Sequence, residues 1–284
     1  TVMTDDTGKP VKIPLHRGMP HKIIPKKVSV AEVGSLISPV TYRVKLRDVL
    51  PDLPPCTTIS RTIDMAGDQL DHYRDMKDRL RVVVDDARIT ASVKLAQIAK
   101  LRQITGGFII DHQEEAHAFS TNPKMSMLDY LIEEELPVSE KVVIYSEYQW
   151  EIKTILSRYK KYGIVSSFGG NSSRQNLDNV NQFIKDPETR IIVMNPQSMA
   201  YGVTLVCAHY MVFYSISYSA EFNYQCIRRI ERAGQKHPMI VYYLLCNDSI
   251  DRTIYKAVGI KNINQAELID QERVDQELLQ GWVN

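Results

Sequence analysis

The segment Gln225-Cys226-Ile227-Arg228-Arg229-Ile230-Glu231-Arg232-Ala233-Gly234-Gln235 reads as a short helix that stops at Gly234. At about 100° of rotation per residue, Gln225, Arg229 and Arg232 fall on one narrow stripe, while Cys226, Ile227, Ile230 and the upstream Asn223 turn to the other side. An apolar back of this kind packs on a core. A glycine just past the last turn supplies the left-handed residue at which the chain leaves for the next element. Guanidiniums held on such a stripe suit phosphate oxygens, because arginine keeps its charge and presents a planar fork. A solvated basic face on an amphipathic helix gives the same pattern. Arg228 and Glu231, three apart and off the stripe, read as an ordinary surface ion pair.

Outward from this helix the chain alternates between short apolar runs and amphipathic stretches. Lys141 to Tyr145, Gly163 to Ser166, Arg190 to Met194, Tyr210 to Tyr214 and Met239 to Leu245 read as strands. Lys124 to Glu135, Glu147 to Lys160 and Asn171 to Ile184 read as helices between them. Such alternation calls for a parallel sheet with helices on both faces, with ligands expected at the carboxyl ends of its strands. Phe168-Gly169-Gly170-Asn171-Ser172-Ser173 leads from a strand into a helix and offers backbone N–H groups and hydroxyls to a phosphate, although a tight turn with an N-cap reads the same way. Upstream, Ile59 to Met65 alternates like a strand, and Gly67 to Val84 and Ile89 to Ile104 are helical stretches. Residues 29–42 have helical spacing, and residues 1–28 form an irregular, proline-broken basic arm.

The pattern Q-x-x-x-R-x-x-R-x-G-Q, preceded by Tyr218-Ser219-Ala220-Glu221-Phe222-Asn223, is similar to the last helicase motif of the SWI/SNF-type DNA-dependent ATPases. Tyr42 to Pro54 resembles the exit from that family's first lobe, and Leu101 to Phe108 its helical insertion. Ser146 corresponds to its fourth motif and Asn195 to Ala208 to its fifth. The resemblance implies a RecA-like (P-loop NTPase-like) α/β fold with a parallel sheet, preceded by a mainly helical insertion. It implies that Arg229 and Arg232 are arginine fingers toward ATP on another lobe, that Gln225 and Gly202 couple nucleotide state to closure, and that Ser146, Gly170, Asn171, Ser172, Gln197 and Ser198 hold the backbone of duplex DNA. The chain departs from the family pattern at three places. Arg228 stands where a glycine is usual, Ala200 replaces the first glycine of the fifth motif, and Asn176 replaces an arginine.

The expected division is a basic arm and tail of the first lobe over residues 1–55, a helical insertion over 56–120, the RecA-like lobe over 121–262 and an acidic C-terminal helix over 263–284. No G-x-x-x-x-G-K-[ST] occurs in the 284 residues, so ATP and Mg²⁺ belong to a complete two-lobe protein, with neither expected to bind tightly to this chain alone. The N-terminal RecA-like lobe is then the implied partner. Glu114-Glu115-Ala116-His117 imitates a D-E-A-H box but lies in a polar stretch, and is assigned to solvent. A net charge of +1 gives no bulk case for nucleic acid. Cys56, Cys207, Cys226 and Cys246 are widely spaced, which argues against zinc and for reduced thiols in an intracellular protein, cytoplasmic or nuclear. No apolar run long enough to span a membrane is present. A stand-alone binding or regulatory module that kept the sheet and lost catalysis is the alternative function.

Overall fold

The computed structural model describes residues 49–85, 91–197 and 202–263. The basic arm up to Asp48, Ser198, Ala200 and the acidic stretch beyond Ile263 lie outside them. Eight strands and seven longer helices are described: β1 (Cys56–Ile63), α1 (Gly67–Asp85), α2 (Ala91–Thr105), β2 (Phe108–Ile110), β3 (Ala116–Ala118), α3 (Pro123–Tyr130), β4 (Val142–Tyr145), α4 (Gln149–Arg158), β5 (Ile164–Ser167), α5 (Ser173–Lys185), β6 (Ile191–Met194), β7 (Tyr210–Phe213), α6 (Ala220–Ile230), β8 (Met239–Cys246) and α7 (Ile250–Ile263).

Six of the strands form one parallel sheet in the order β1-β8-β7-β4-β6-β5, as the strand–helix alternation predicts. The central strands read Val-Val-Ile-Tyr, Ile-Ile-Val-Met and Tyr-Met-Val-Phe because both their faces are covered. Val143, Tyr145, Ile192, Met194, Met211 and Phe213 face one apolar cluster, which is completed by Leu101 and Ile104 of α2, Phe183 of α5, Cys226 and Ile230 of α6, and Ile254 of α7. Their neighbours Val142, Ile144, Ile191, Val193 and Val212 face the other, with Leu128 of α3 and Ile152 and Ile155 of α4. The period of two along each strand thus builds two cores back to back.

The expected boundary at residue 121 does not divide this sheet. β1 lies within the supposed helical insertion, yet it pairs with β8 from Cys56↔Met239 to Ile63↔Cys246. Being an edge strand, it is only half covered and spells Thr-Thr-Ile-Ser-Arg-Thr. Its partner is also far away in sequence, which removes any local signal of pairing. α1 and α2 likewise bury Tyr73, Leu80, Ile98, Leu101 and Ile104 in the same cluster as the sheet. Smaller differences are local. Asn122 caps α3, accepting from the Met125 N–H at 3.1 Å, and the last turn of that helix widens into a π-turn over Leu131–Glu135. The D-E-A-H look-alike is exposed, as expected, but β2 and β3 form an antiparallel hairpin around it. Cys56, Cys207, Cys226 and Cys246 form no disulfide with one another. No helix among the described residues is long and apolar enough to cross a membrane.

Candidate functional site

α6 begins where Ser219 accepts a hydrogen bond from the Phe222 N–H at 3.2 Å. As the crossover between parallel β7 and β8, it runs back from the carboxyl edge of the sheet toward the amino edge. Asn223, Cys226 and Ile230 are buried, as the stripe predicts. The helix nevertheless ends at Ile230, four residues before Gly234. Glu231 leaves with ψ 77°, and the left-handed Gly234, at φ 97°, closes a separate turn in which the Gln235 N–H donates to Arg232 O at 3.1 Å. The cause is Gln235, whose buried amide donates to Ala208 O at 2.9 Å and to Ile230 O at 3.4 Å. That amide satisfies a carbonyl at the helix end and ties the chain to the segment before β7. Arg232 is therefore not on the helical stripe.

The three arginines still meet. Gln225, Arg228, Arg229, Glu231 and Arg232 line one cleft of about 270 Å³. Arg229 donates through Nη1 to Val203 O at 3.2 Å, and its own carbonyl accepts from the Leu205 N–H at 2.8 Å, which fastens the loop before β7 to α6. Gly202 adopts φ 57° on that loop, where a Cβ would stand 4.0 Å from Arg229 Nη1. Gly202 and Arg229, far apart in sequence, are thus neighbours. Gln225 donates to Glu221 Oε1 at 2.9 Å on the exposed side. Arg228 departs from expectation: its pair with Glu231 exists at 3.2 Å, but both side chains face the cleft rather than a separate wet face. The last-turn position of Arg228 and Arg229 also opposes the negative end of the helix dipole, a role any cation there would fill.

The carboxyl edge of the sheet holds the other candidates. Ser172 caps α5, accepting from the Gln175 N–H at 3.2 Å, and Gly170 and Ser172 are exposed. A Cβ on Gly170 would come within 2.3 Å of the Phe168 ring, so the turn needs glycine. Asn171 points inward, donating to Ser166 O at 3.2 Å and Asn176 Oδ1 at 3.1 Å. Asn176 clasps both backbone groups of Phe168 at 3.1 Å, a structural task that the arginine usual in the family would not perform. Gln197 is exposed, its N–H donating to Asn195 Oδ1 at 2.8 Å. Ser146 corrects its expectation. It is fully buried, and its hydroxyl donates to Glu151 Oε2 at 2.5 Å, so it is not presented to a phosphate. Ser198 lies outside the described residues.

Beneath this edge lies a buried polar network that the sequence reading missed. Glu151 Oε2 also accepts from Ser215 Oγ at 2.6 Å, and its Oε1 lies where a Cβ on Gly106 would come within 2.1 Å. Burial pushes the Glu151 carboxyl up to about 7, against the two hydroxyl bonds and the nearby Lys124 and Arg102. Arg102 donates to Ile216 O at 2.5 Å and sits 3.6 Å from Glu147, whose carboxyl is also raised by burial against the pull of that arginine. A proton held more tightly when folded than when unfolded stabilises at low pH. The Glu151 contribution is therefore present below about 4.5 and is lost as pH rises through about 7. Glu151→Gln is expected to remove that loss, and the difference between the two denaturant-unfolding pH profiles measures it. Parallel profiles from pH 5 to 8 would contradict it.

Residues 123–234 match the helicase conserved C-terminal domain. Among curated relatives, DNA repair and recombination protein RAD54B of Gallus gallus is 26% identical over 182 residues, covering 62% of this chain and 20% of that protein. SWI/SNF-related matrix-associated actin-dependent regulator of chromatin subfamily A member 1 of Homo sapiens is 23% identical over 263 residues, covering 86% and 25%. The chain thus spans a quarter or less of the length of these two relatives. The Sulfolobus solfataricus SWI2/SNF2 ATPase core in complex with dsDNA has the same fold, with a TM-score of 0.63 at 19% identity over 87% of this chain and 53% of that one. With the sheet order and the α6 cleft already placed, these matches put a helicase conserved C-terminal domain over residues 123–234 and make the chain similar in sequence to SWI/SNF-type proteins and in fold to the SWI2/SNF2 ATPase core.

Proposed function

We propose that this lobe completes an ATP site in trans and grips duplex DNA as one half of a DNA-dependent translocase. The convergence of Arg228, Arg229 and Arg232 with Gly202 carries the reading, because guanidiniums gathered beside a glycine loop suit the terminal phosphates of a nucleotide. The lining fits phosphate and does not fit magnesium, which needs a set of oxygen ligands that the cleft lacks. Among the described residues the one His/carboxylate group at metal-ligand spacing is Asp111, Glu115 and His117, on the β2–β3 hairpin. ATP with Mg²⁺, held by an N-terminal lobe, would supply the phosphoryl group that is transferred. Here Arg229 and Arg232 would neutralise charge developing on it, while Gln225 and Gly202 would register closure.

At the opposite edge of the sheet, the exposed Gly170, Ser172 and Gln197 would meet DNA phosphates, with the positive end of α5 behind Ser172. The relative solved with dsDNA supports duplex DNA as the partner. With Arg174, exposed in the first turn of α5, as the cation beside these neutral groups, a shallow log–log salt slope of about −1 is expected for DNA binding by this chain. Fluorescence anisotropy with a short labelled duplex between low and physiological salt checks this. An affinity independent of salt would overturn the DNA half of the reading.

A further inference from the structure

Resting on the reading that the cleft receives phosphate, we propose that Arg228 is a third phosphate-binding arginine, latched by Glu231 until a polyphosphate displaces that carboxylate. Glu231 is the first residue outside α6, and its backbone is fixed by donation to Ile227 O at 2.9 Å. Its side chain is therefore held in a cleft otherwise lined by Gln225, Arg228, Arg229 and Arg232. A carboxylate in such a place is an internal anion in an anion site. It lies 3.2 Å from Arg228 Nη1, with side chains 28% and 12% exposed, so water reaches both partners and exchange is possible without unfolding.

Arg228 also stays in place without Glu231. Its guanidinium lies 4.5 Å from the centroid of the Tyr224 ring and donates to the Tyr224 hydroxyl, both within α6. A polyphosphate brings more charge and more acceptor oxygens than one carboxylate, and it can engage several guanidiniums at once. Competition with Glu231 then makes the cleft reject weak single anions while admitting a chain of phosphates. This assigns Arg228 to the ligand rather than to the surface pairing that its spacing suggests.

Inorganic tripolyphosphate titrated calorimetrically into the full chain at low salt tests the latch, with the melting temperature of each variant checking its fold. Glu231→Gln is expected to tighten Kd about fivefold, the upper range for a partly exposed ion pair. Arg228→Gln is expected to weaken it about tenfold, the scale of one charge-assisted contact. The double variant should bind like Arg228→Gln alone, because the latch acts through that arginine. If Glu231→Gln tightens binding equally in both backgrounds, Glu231 merely repels anions and the latch falls. The latch also falls if Glu231→Gln or Arg228→Gln leaves Kd unchanged while Arg229→Ala and Arg232→Ala abolish binding; the phosphate-cleft reading then stands. Absence of binding in both the unsubstituted chain and Glu231→Gln would overturn both.

Discussion

Arg229→Ala, in a protein that joins this lobe to a first lobe carrying the phosphate loop, is expected to lower DNA-stimulated ATP turnover by about 10³–10⁵, the range for a positioned arginine finger. The expectation rests on position: Arg229 is fixed to Val203 O and beside Gly202, so its guanidinium is preorganised rather than recruited. Losing that bond also costs stability, on the order of 1 kcal/mol. DNA affinity should hold, because Gly170, Ser172 and Gln197 lie at the other edge of the sheet. Steady-state turnover, duplex affinity and melting temperature measured together separate these effects. A variant that turns over normally, or one that loses turnover only because it melts, would remove the catalytic assignment. Arg232→Ala should follow with a smaller loss, since Arg232 sits on a turn and is exposed. Arg228→Ala is no neutral control, because that side chain faces the same cleft.

Asp251→Ala is expected to destabilise the fold by about 3–5 kcal/mol, the cost of leaving one partner of a buried ion pair. Lys124 is fully buried at the start of α3, and its ammonium lies 2.5 Å from Asp251 Oδ2. Asp251 also accepts from Thr105 Oγ1 at 2.8 Å and from the Cys246 N–H at 3.1 Å. One carboxylate thus ties α2, α3, β8 and α7 together. Lys124→Met combined with Asp251→Leu should recover much of the loss, since neither charge is then stranded. Urea unfolding of the single and double variants gives the comparison. A single substitution that costs under 1 kcal/mol would show that the pair is not buried in solution.

The order of strands and helices from residue 141 to 246 is legible because each central strand is a continuous apolar run and each helix shows its own period. β1 shows its alternation only from Ile59 onward, and its place at the edge of this sheet is not legible, since it pairs with a segment far along the chain. At the site, the convergence of Gln225, Arg229, Arg232 and Gly202 is legible through the spacing and resemblance of two motifs. The end of α6 is not, because a glycine announces a stop while the buried amide of Gln235 determines where the helix ends. Ser146 misleads for a related reason. Its position at a strand end matches a ligand-binding loop, but Glu151, five residues on, turns the hydroxyl inward. The buried carboxylates of Glu147 and Glu151 read from sequence as helix-start residues, and only the packing of α2 over them reveals a network.

The most direct measurement is phosphate release from ATP in the presence of duplex DNA, by this chain alone, by a first SWI2/SNF2 lobe alone, and by the two joined. The account predicts that neither part exceeds a buffer control and that the joined pair hydrolyses ATP in a manner dependent on Arg229. DNA-stimulated hydrolysis by this chain alone, or a correctly folded joined pair no faster than the first lobe by itself, would contradict it.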